Sequence, residues 1–308
     1  MRNTFIETLC EVAAEDPRVW LVCGDLGFSV LETFASKFPD RYVNAGVSEQ
    51  NMTGLAAGLA TCGKIVFTYS IANFPVMRCL EQIRNDVCYH NLNVRVVAVG
   101  GGLAYGTQGY THHGVEDLAV TRVLPNMTVI APGDPIETRL ATRALVHHSG
   151  PCYLRLGKAN EPKIHAKEPD FQLGRAIEVR LGRDLTLITT GGVLETAVQA
   201  AEKLQAENLS VRVVSMHTVQ PLDVEAVARA ARETGCILTV EEHGLGGLGA
   251  AVAEQLALAG GNCVFRPMHL PRDPFTHAGS QGALRAEAGL SVEAIALAAY
   301  QSVQRKRS

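Results

Sequence analysis

The sequence has 308 residues, 47% of them hydrophobic, with 28 Lys+Arg against 31 Asp+Glu and a formal net charge of -3. That length exceeds one ordinary domain and supplies apolar side chains for two packed cores. Balanced charge, with no basic stripe beyond Arg305-Lys306-Arg307, argues against nucleic acid as a partner, and apolar runs broken by charge or glycine argue against a membrane span. The opening Met1-Arg2-Asn3-Thr4-Phe5 lacks the apolar stretch of a secretory signal, so a cytoplasmic location is expected. The eight cysteines are scattered without CxxC spacing and read as reduced core residues, with no disulfide or zinc role.

Taken in order, the chain alternates. A helical pattern over residues 4–14 leads to an apolar strand, Val19-Trp20-Leu21-Val22-Cys23, and a loop, Gly24-Asp25-Leu26-Gly27-Phe28-Ser29. Strands are predicted at 65–69, 94–99, 128–131 and 152–156. Helices are predicted at 75–88, at 115–123 and from Pro135 onward, and Gly100-Gly101-Gly102 opens a long glycine-rich loop. Residues 157–173 are polar and proline-marked and read as a linker. A second unit follows, with strands at 185–190, 211–215, 237–241 and 263–267 and helices at 194–208, 224–234, 248–259 and 292–303. Apolar strands separated by helices predict an α/β protein of two doubly wound domains with mostly parallel sheets. The expected division is a first domain over 1–160, a linker over 161–177 and a second domain over 178–308.

The segment Val43-Asn44-Ala45-Gly46-Val47-Ser48-Glu49-Gln50-Asn51-Met52 is the centre of the first unit. A strand ends, glycine and serine turn the chain, and Glu49 stands where a small-residue helix begins, packed through Met52, Leu55, Ala56 and Leu59. A carboxylate fixed there suits proton transfer, although plain complementation of the helix dipole is its commoner use. In such folds functional groups gather at the carboxyl ends of the strands. Those ends bring Asp25 and Ser29, Glu49, Asn73 and Phe74, then Gln108, His112 and His113. Adjacent histidines point apart, so at most one of His112 and His113 is expected to face the cleft. In the second unit Gly244-Leu245-Gly246-Gly247-Leu248-Gly249 formally matches the dinucleotide fingerprint. It lies on the third strand of its unit without the acidic residue the fingerprint needs, and a tight strand-to-helix turn explains it better.

Several segments together resemble the pyrimidine-binding domain of thiamine-diphosphate transketolases. They are Gly46-Val47-Ser48-Glu49-Gln50-Asn51-Met52, Gly106-Thr107-Gln108-Gly109-Tyr110-Thr111-His112, Leu124-Pro125-Asn126-Met127-Thr128-Val129 and Tyr153-Leu154-Arg155. Ile188-Thr189-Thr190-Gly191-Gly192 and Thr239-Val240-Glu241-Glu242-His243 resemble the family's C-terminal domain. The chain as a whole resembles the separate C-terminal subunit of split transketolases. The resemblance implies that Glu49, kept uncharged in a dry site, hydrogen-bonds the aminopyrimidine of thiamine diphosphate. It also implies that Phe74 stacks on that ring, with Ile71 and Leu26 lining the slot. By the same resemblance His112 acts near the reacting carbon, while Arg2, Ser29 and Arg155 bind the substrate phosphate and Gln108 lies near its hydroxyls.

No Gly-Asp-Gly segment with a downstream Asn is present to hold Mg²⁺ and the diphosphate; Gly24-Asp25-Leu26 and Gly133-Asp134-Pro135 do not fit. The resemblance therefore implies an N-terminal transketolase subunit as partner, an α2β2 assembly, and activity only when both are present. Three departures from the family pattern bear on the substrate. Gln108 stands for an aspartate, Gly100 for a phosphate-contacting histidine, and Ile71 for an aromatic. Loss of the histidine is expected to open space, pointing to a non-standard and bulkier sugar such as a nucleotide-linked one. The rival expectations are a deoxyxylulose-phosphate-synthase-like or 2-oxoacid-dehydrogenase-like β subunit and, in another class, a noncatalytic dinucleotide-binding module.

Overall fold

The computed structural model describes residues 1–307. Its strands are β1 (Val19–Cys23), β2 (Tyr42–Asn44), β3 (Ile65–Ile71), β4 (Val94–Val99), β5 (Thr128–Ile130) and β6 (Cys152–Leu156), then β7 (Ile177–Arg180), β8 (Leu185–Thr190), β9 (Val211–Ser215), β10 (Thr218–Gln220), β11 (Cys236–Glu241) and β12 (Val264–Met268). They form a seven-stranded sheet in the order β10-β5-β6-β4-β3-β1-β2 and a five-stranded sheet in the order β12-β11-β8-β9-β7. All pairings are parallel except β10 with β5 and β7 with β9. The fold is therefore α/β with two mostly parallel sheets, as the alternation of the sequence implies.

The helices of the first half are α1 (Arg2–Glu15), α2 (Glu32–Lys37), α3 (Glu49–Thr61), α4 (Phe74–Met77), α5 (Leu80–Gln82), α6 (Asp117–Arg122) and α7 (Pro135–His147). Alternate residues of the buried strands serve two cores. Val19, Leu21, Phe67, Tyr69 and Leu154 pack under α1 and α7 with Phe5, Leu9 and Leu145. Val22, Val66, Val96 and Tyr153 pack under α3 with Met52 and Ala56. The period of two thus survives inside strands that read as continuously apolar. The second half adds α8 (Leu194–Ala206), α9 (Val224–Thr234), α10 (Leu248–Ala259), α11 (Gln281–Glu287) and α12 (Val292–Arg307). There α8 and α12 contribute to one core, and α9 and α10 to the other.

Two elements differ from expectation. The helix predicted over 75–88 is broken into α4, α5 and a π-helical segment, Ile83–Cys88. The wider turn lets Ile83, Val87 and Cys88 all reach the core, and the break leaves Arg78 free of the helix body. The other is β10, which belongs by sequence to the second half yet closes the edge of the first sheet against β5. Beside it the Ala131 amide donates to the His217 carbonyl at 2.7 Å, and the Gly191 amide to the Ala131 carbonyl at 2.9 Å. An open β5 edge would expose unpaired backbone groups, and three residues from the far half cover it.

The segment between β6 and β7 is tied to the first half at one buried cluster. His165 Nε2 lies 2.8 Å from Glu137 Oε1, the Ile164 amide donates to Asp134 Oδ2 at 2.9 Å, and Phe171 stacks on His217 at 4.2 Å between centroids. Asp134, Glu137 and His165 are spaced for a metal ion, but their oxygens already accept from the Gly133, Glu137, Ile164 and His165 amides and the Ser215 hydroxyl. That pattern is a staple between segments.

Burial pushes the Glu137 carboxyl up, but the His165 hydrogen bond, the His217 charge and the Gly133 amide outweigh it and hold it below its ordinary value of 4.5. Burial likewise pulls His165 down, while Glu137 and Asp134 outweigh that and raise it above 6.5. A lowered carboxyl stabilises the fold above its unfolded value, and this is lost as pH falls through the folded one. A raised imidazole stabilises fully below its unfolded value, and this is lost as pH rises through the folded one. The melting-temperature difference between the native chain and His165→Phe is therefore expected to peak between roughly pH 4.5 and 6.5 and shrink on both sides. A difference independent of pH would refute the pairing.

Candidate active site

The carboxyl ends of β1, β2, β3 and β4 converge on one edge of the first sheet. After β2 the chain turns at Gly46, where φ is +75°, a region open to glycine. Asn44 braces this turn: its Nδ2 donates to Asp25 Oδ1 at 2.8 Å, and its Oδ1 accepts the Gly46 amide at 2.9 Å. Ser48 donates its hydroxyl to the Ala45 carbonyl at 2.7 Å instead of capping the helix, so Glu49 begins α3 with the helix dipole behind it.

Glu49 is 4% exposed and lies beside Gly24, where a Cβ would meet Glu49 Cγ in ordinary contact at 3.6 Å. Arg78 Nη1 donates to Glu49 Oε2 at 3.0 Å, and the same guanidinium lies 4.2 Å from the Phe74 ring centroid. Phe74 in turn meets the His112 ring edge-on at 5.2 Å. Asn73 Nδ2 donates to the Thr111 carbonyl at 3.0 Å and holds the His112 loop against this corner. Glu49, Phe74 and His112 are thereby brought together, with Arg78 between the first two. The structure buries Glu49, as a dry site requires, and sets a charged group beside it. Its carboxylate has a cationic partner that is half exposed to water.

The other predicted residues fall around this corner or outside it. Leu26 and Ile71 are half-buried against the core under α1. Ser29 is exposed at φ +62°, and its amide, not its hydroxyl, is engaged, donating to Glu32 Oε1 at 2.8 Å. Gln108 is exposed on a short 3-10 turn. His112 and His113 diverge: His113 is buried and faces Phe275 of the second half, ring to ring at 6.2 Å. Arg2 begins α1 next to Tyr69 and Tyr105.

Arg155 is engaged within the chain. Its Nε donates to Asp117 Oδ2 at 2.7 Å, and Nη2 to Asp117 Oδ1, the Gly114 carbonyl and the Glu242 carbonyl. With Tyr153 also donating to Asp117, this is a buried ion pair that joins the two halves. The space expected above Gly100 is also filled. A Cβ there would lie 2.1 Å from Tyr105 Cε2.

The glycine-rich turn before α10 is likewise occupied from within. Glu241 accepts the Leu248 and Gly249 amides, each at 2.7 Å, and so takes the place a phosphate would need at the start of the helix. Burial raises the Glu241 pKa to about 7 against the opposing pull of those amides. This geometry excludes the dinucleotide reading.

Sequence reasoning missed Arg78 and Tyr105. Arg78 follows Phe74 by four residues, a helical spacing that offered a signal; Tyr105 lies in the loop after Gly100, where no period marks the contact.

The descriptions "Transketolase, pyrimidine binding domain" and "Transketolase, C-terminal domain" match residues 1–163 and 174–295. The chain belongs to the transketolase family. Within it, the chain corresponds to the separate C-terminal subunit of a split enzyme, as its relatives indicate. It is 39% identical over 307 residues to a subunit of the apulose-4-phosphate transketolase of Phocaeicola vulgatus, covering 99% of this chain and 97% of that one. It is 37% identical over 312 residues to the 6-deoxy-6-sulfo-D-fructose transketolase subunit SqwH of a Clostridium species, covering 99% and 95%. A solved split-gene transketolase described as an inactive beta4 tetramer superposes with a TM-score of 0.91 at 36% identity, covering 98% of each chain. The 1-deoxy-D-xylulose-5-phosphate synthase of Symbiobacterium thermophilum is 35% identical over 310 residues, but the chain spans only 47% of it.

Proposed function

We propose that this chain is the pyrimidine-binding subunit of a two-component transketolase, moving a two-carbon ketol unit from a ketose to an aldose only when joined to a subunit that carries the diphosphate and Mg²⁺ site. The observation that carries the reading is the slot between Glu49 and Phe74. A flat cation, the Arg78 guanidinium, already stacks on the ring and hydrogen-bonds to the carboxylate there. An aminopyrimidine would make the same two contacts, so the residues fit that group. Thiamine diphosphate, when bound, supplies the electron sink through which the C2–C3 bond of a ketose can break. Glu49 would hold a proton at the pyrimidine N1′, Phe74 would fix the ring plane, and His112 would orient a donor hydroxyl or carry its proton. Arg78 must swing outward first, into the water that its side chain already half reaches.

The proposal extends to an α2β2 assembly, a cytoplasmic location, and a first unit over 1–160 joined through 161–177 to a second over 178–308. Tyr105 above Gly100 favours a short anionic sugar over a nucleotide-linked one. The test mixes the purified chain with a partner bearing the Gly-Asp-Gly segment, thiamine diphosphate and Mg²⁺. Ketol transfer between ketose and aldose phosphates is expected from the mixture and from neither chain alone. Turnover by the single chain, or decarboxylation of pyruvate in place of ketol transfer, would overturn the reading in favour of the synthase-like rival.

A further inference from the structure

The loop that turns His112 toward Phe74 turns His113 away from it, into a cavity of about 240 Å³ between the two halves of the chain. Tyr110 and Glu116 line one side, and Leu245 with residues 271–275 of the second half lines the other. His113 is 2% exposed, and neither its Nδ1 nor its Nε2 has a hydrogen-bond partner. The Gly106 carbonyl pulls on the ring, but that oxygen already accepts the Gly109 and Gly279 amides, each at 3.2 Å. Burial outweighs the pull of Gly106, Glu242 and Glu116 and holds the His113 pKa below its ordinary value of 6.5, so the imidazole is uncharged near neutral pH. The rings of Tyr110 and Phe275 both stand edge-on to it, at 6.1 and 6.2 Å between centroids. Charges of both signs flank the opening. They are Glu116, which accepts the Tyr110 hydroxyl at 3.0 Å, and the exposed Arg272 and Asp273.

We propose that this cavity is a binding site for a small uncharged polyhydroxylated compound, a polyol or unphosphorylated sugar, whose hydroxyls are recognised by His113. A neutral imidazole offers one N–H donor and one bare nitrogen acceptor, and a hydroxyl can serve either. Leaving both unmatched in a buried place is costly, so an occupant that completes them is favoured. The Tyr110 and Phe275 rings give water no hydrogen bond in return, whereas the C–H surface of a polyol covers them, the usual division between apolar walls and a few orienting polar groups. At roughly 30 Å³ per water the cavity has room for about eight, which admits a polyol of about four or five carbons. Two carboxylates against one guanidinium at the opening disfavour an oxyanion, and this separates the site from any that holds a sugar phosphate. Tyr110, His113 and Phe275 have no part in the ketol-transfer reading, so the site stands independently of it.

Calorimetry on the full chain, with erythritol and ribitol as probes and ribitol 5-phosphate as the charged comparison, tests the site without reference to turnover. Saturable ribitol binding is expected. His113→Phe, which keeps a ring but removes both nitrogens, should weaken it by about three- to tenfold, the size of one neutral hydrogen bond. His113→Gln, which restores a donor and an acceptor, should recover most of that loss. Leu245 is 59% exposed, so Leu245→Trp should obstruct the opening and abolish binding at an unchanged melting temperature, which keeps the test valid if the His113 variants fold poorly. Absence of saturable binding by either polyol, with the cavity holding water only, would overturn the proposal. Equal or tighter binding of the phosphate ester, or binding that ignores both His113→Phe and Leu245→Trp, would overturn it as well.

Discussion

Glu49→Gln in the assembled enzyme is expected to lower ketol transfer by about 10²- to 10⁴-fold, the range for removing a positioned acid–base group. The fold should hardly notice. Glutamine keeps the volume and an oxygen that can accept from Arg78, and the pair it replaces is half exposed on the Arg78 side, so the stability change should stay within about 1 kcal/mol. Initial rates with a ketose donor and an aldose acceptor, measured beside the melting temperature, separate the two effects. Turnover within a few-fold of the native enzyme would remove Glu49 from the mechanism. A large fall in melting temperature would make it structural instead.

Asp117→Ala is expected to do the opposite, harming the fold by breaking the ion pair with Arg155, the residue that the resemblance assigns to substrate. Asp117 and Arg155 are 2% and 6% exposed, and the pair sits where α6, β6 and the end of β11 meet. Removing the carboxylate strands a buried guanidinium and deprives the Tyr153 hydroxyl of its acceptor. Breaking a buried pair in this way costs about 3–5 kcal/mol. The expected result is a marked drop in denaturation midpoint and in soluble yield. The double variant Asp117→Leu/Arg155→Met, which removes both charges, should recover part of that loss. If Asp117→Ala melts with the native chain and raises KM for a phosphorylated sugar instead, Arg155 is a substrate ligand after all.

The position of Glu49 was legible because it depends on local order: a strand end, a glycine turn and a helix start within a few residues. His112 and Phe74 were legible through the pattern of motifs around them, and their contact at 5.2 Å follows from the loop that Asn73 holds. Arg78 was overlooked because the predicted helix over 75–88 placed it on a continuous surface, whereas the break after α4 turns it inward over Phe74. The surroundings of Arg155 were hidden for a different reason. A motif specifies which residue is present, but Asp117 lies 38 positions away and the Glu242 carbonyl 87, and those partners determine whether the guanidinium is available.

Strand and helix identity in this protein follows from side-chain periodicity, a property of neighbours in the chain, and the sequence by itself determined the alternating α/β order, the parallel sheets and the carboxylate at the start of α3. Tertiary structure alone decided that β10 crosses into the first sheet, that Glu241 fills the glycine-rich turn and that Tyr105 occupies the room above Gly100. The first is settled by groups far apart in sequence, the other two by loops that fold nearby residues onto one another, which no strand or helix period encodes. There, the need to pair a buried amide, cover a strand edge or fill a void outweighs any local preference.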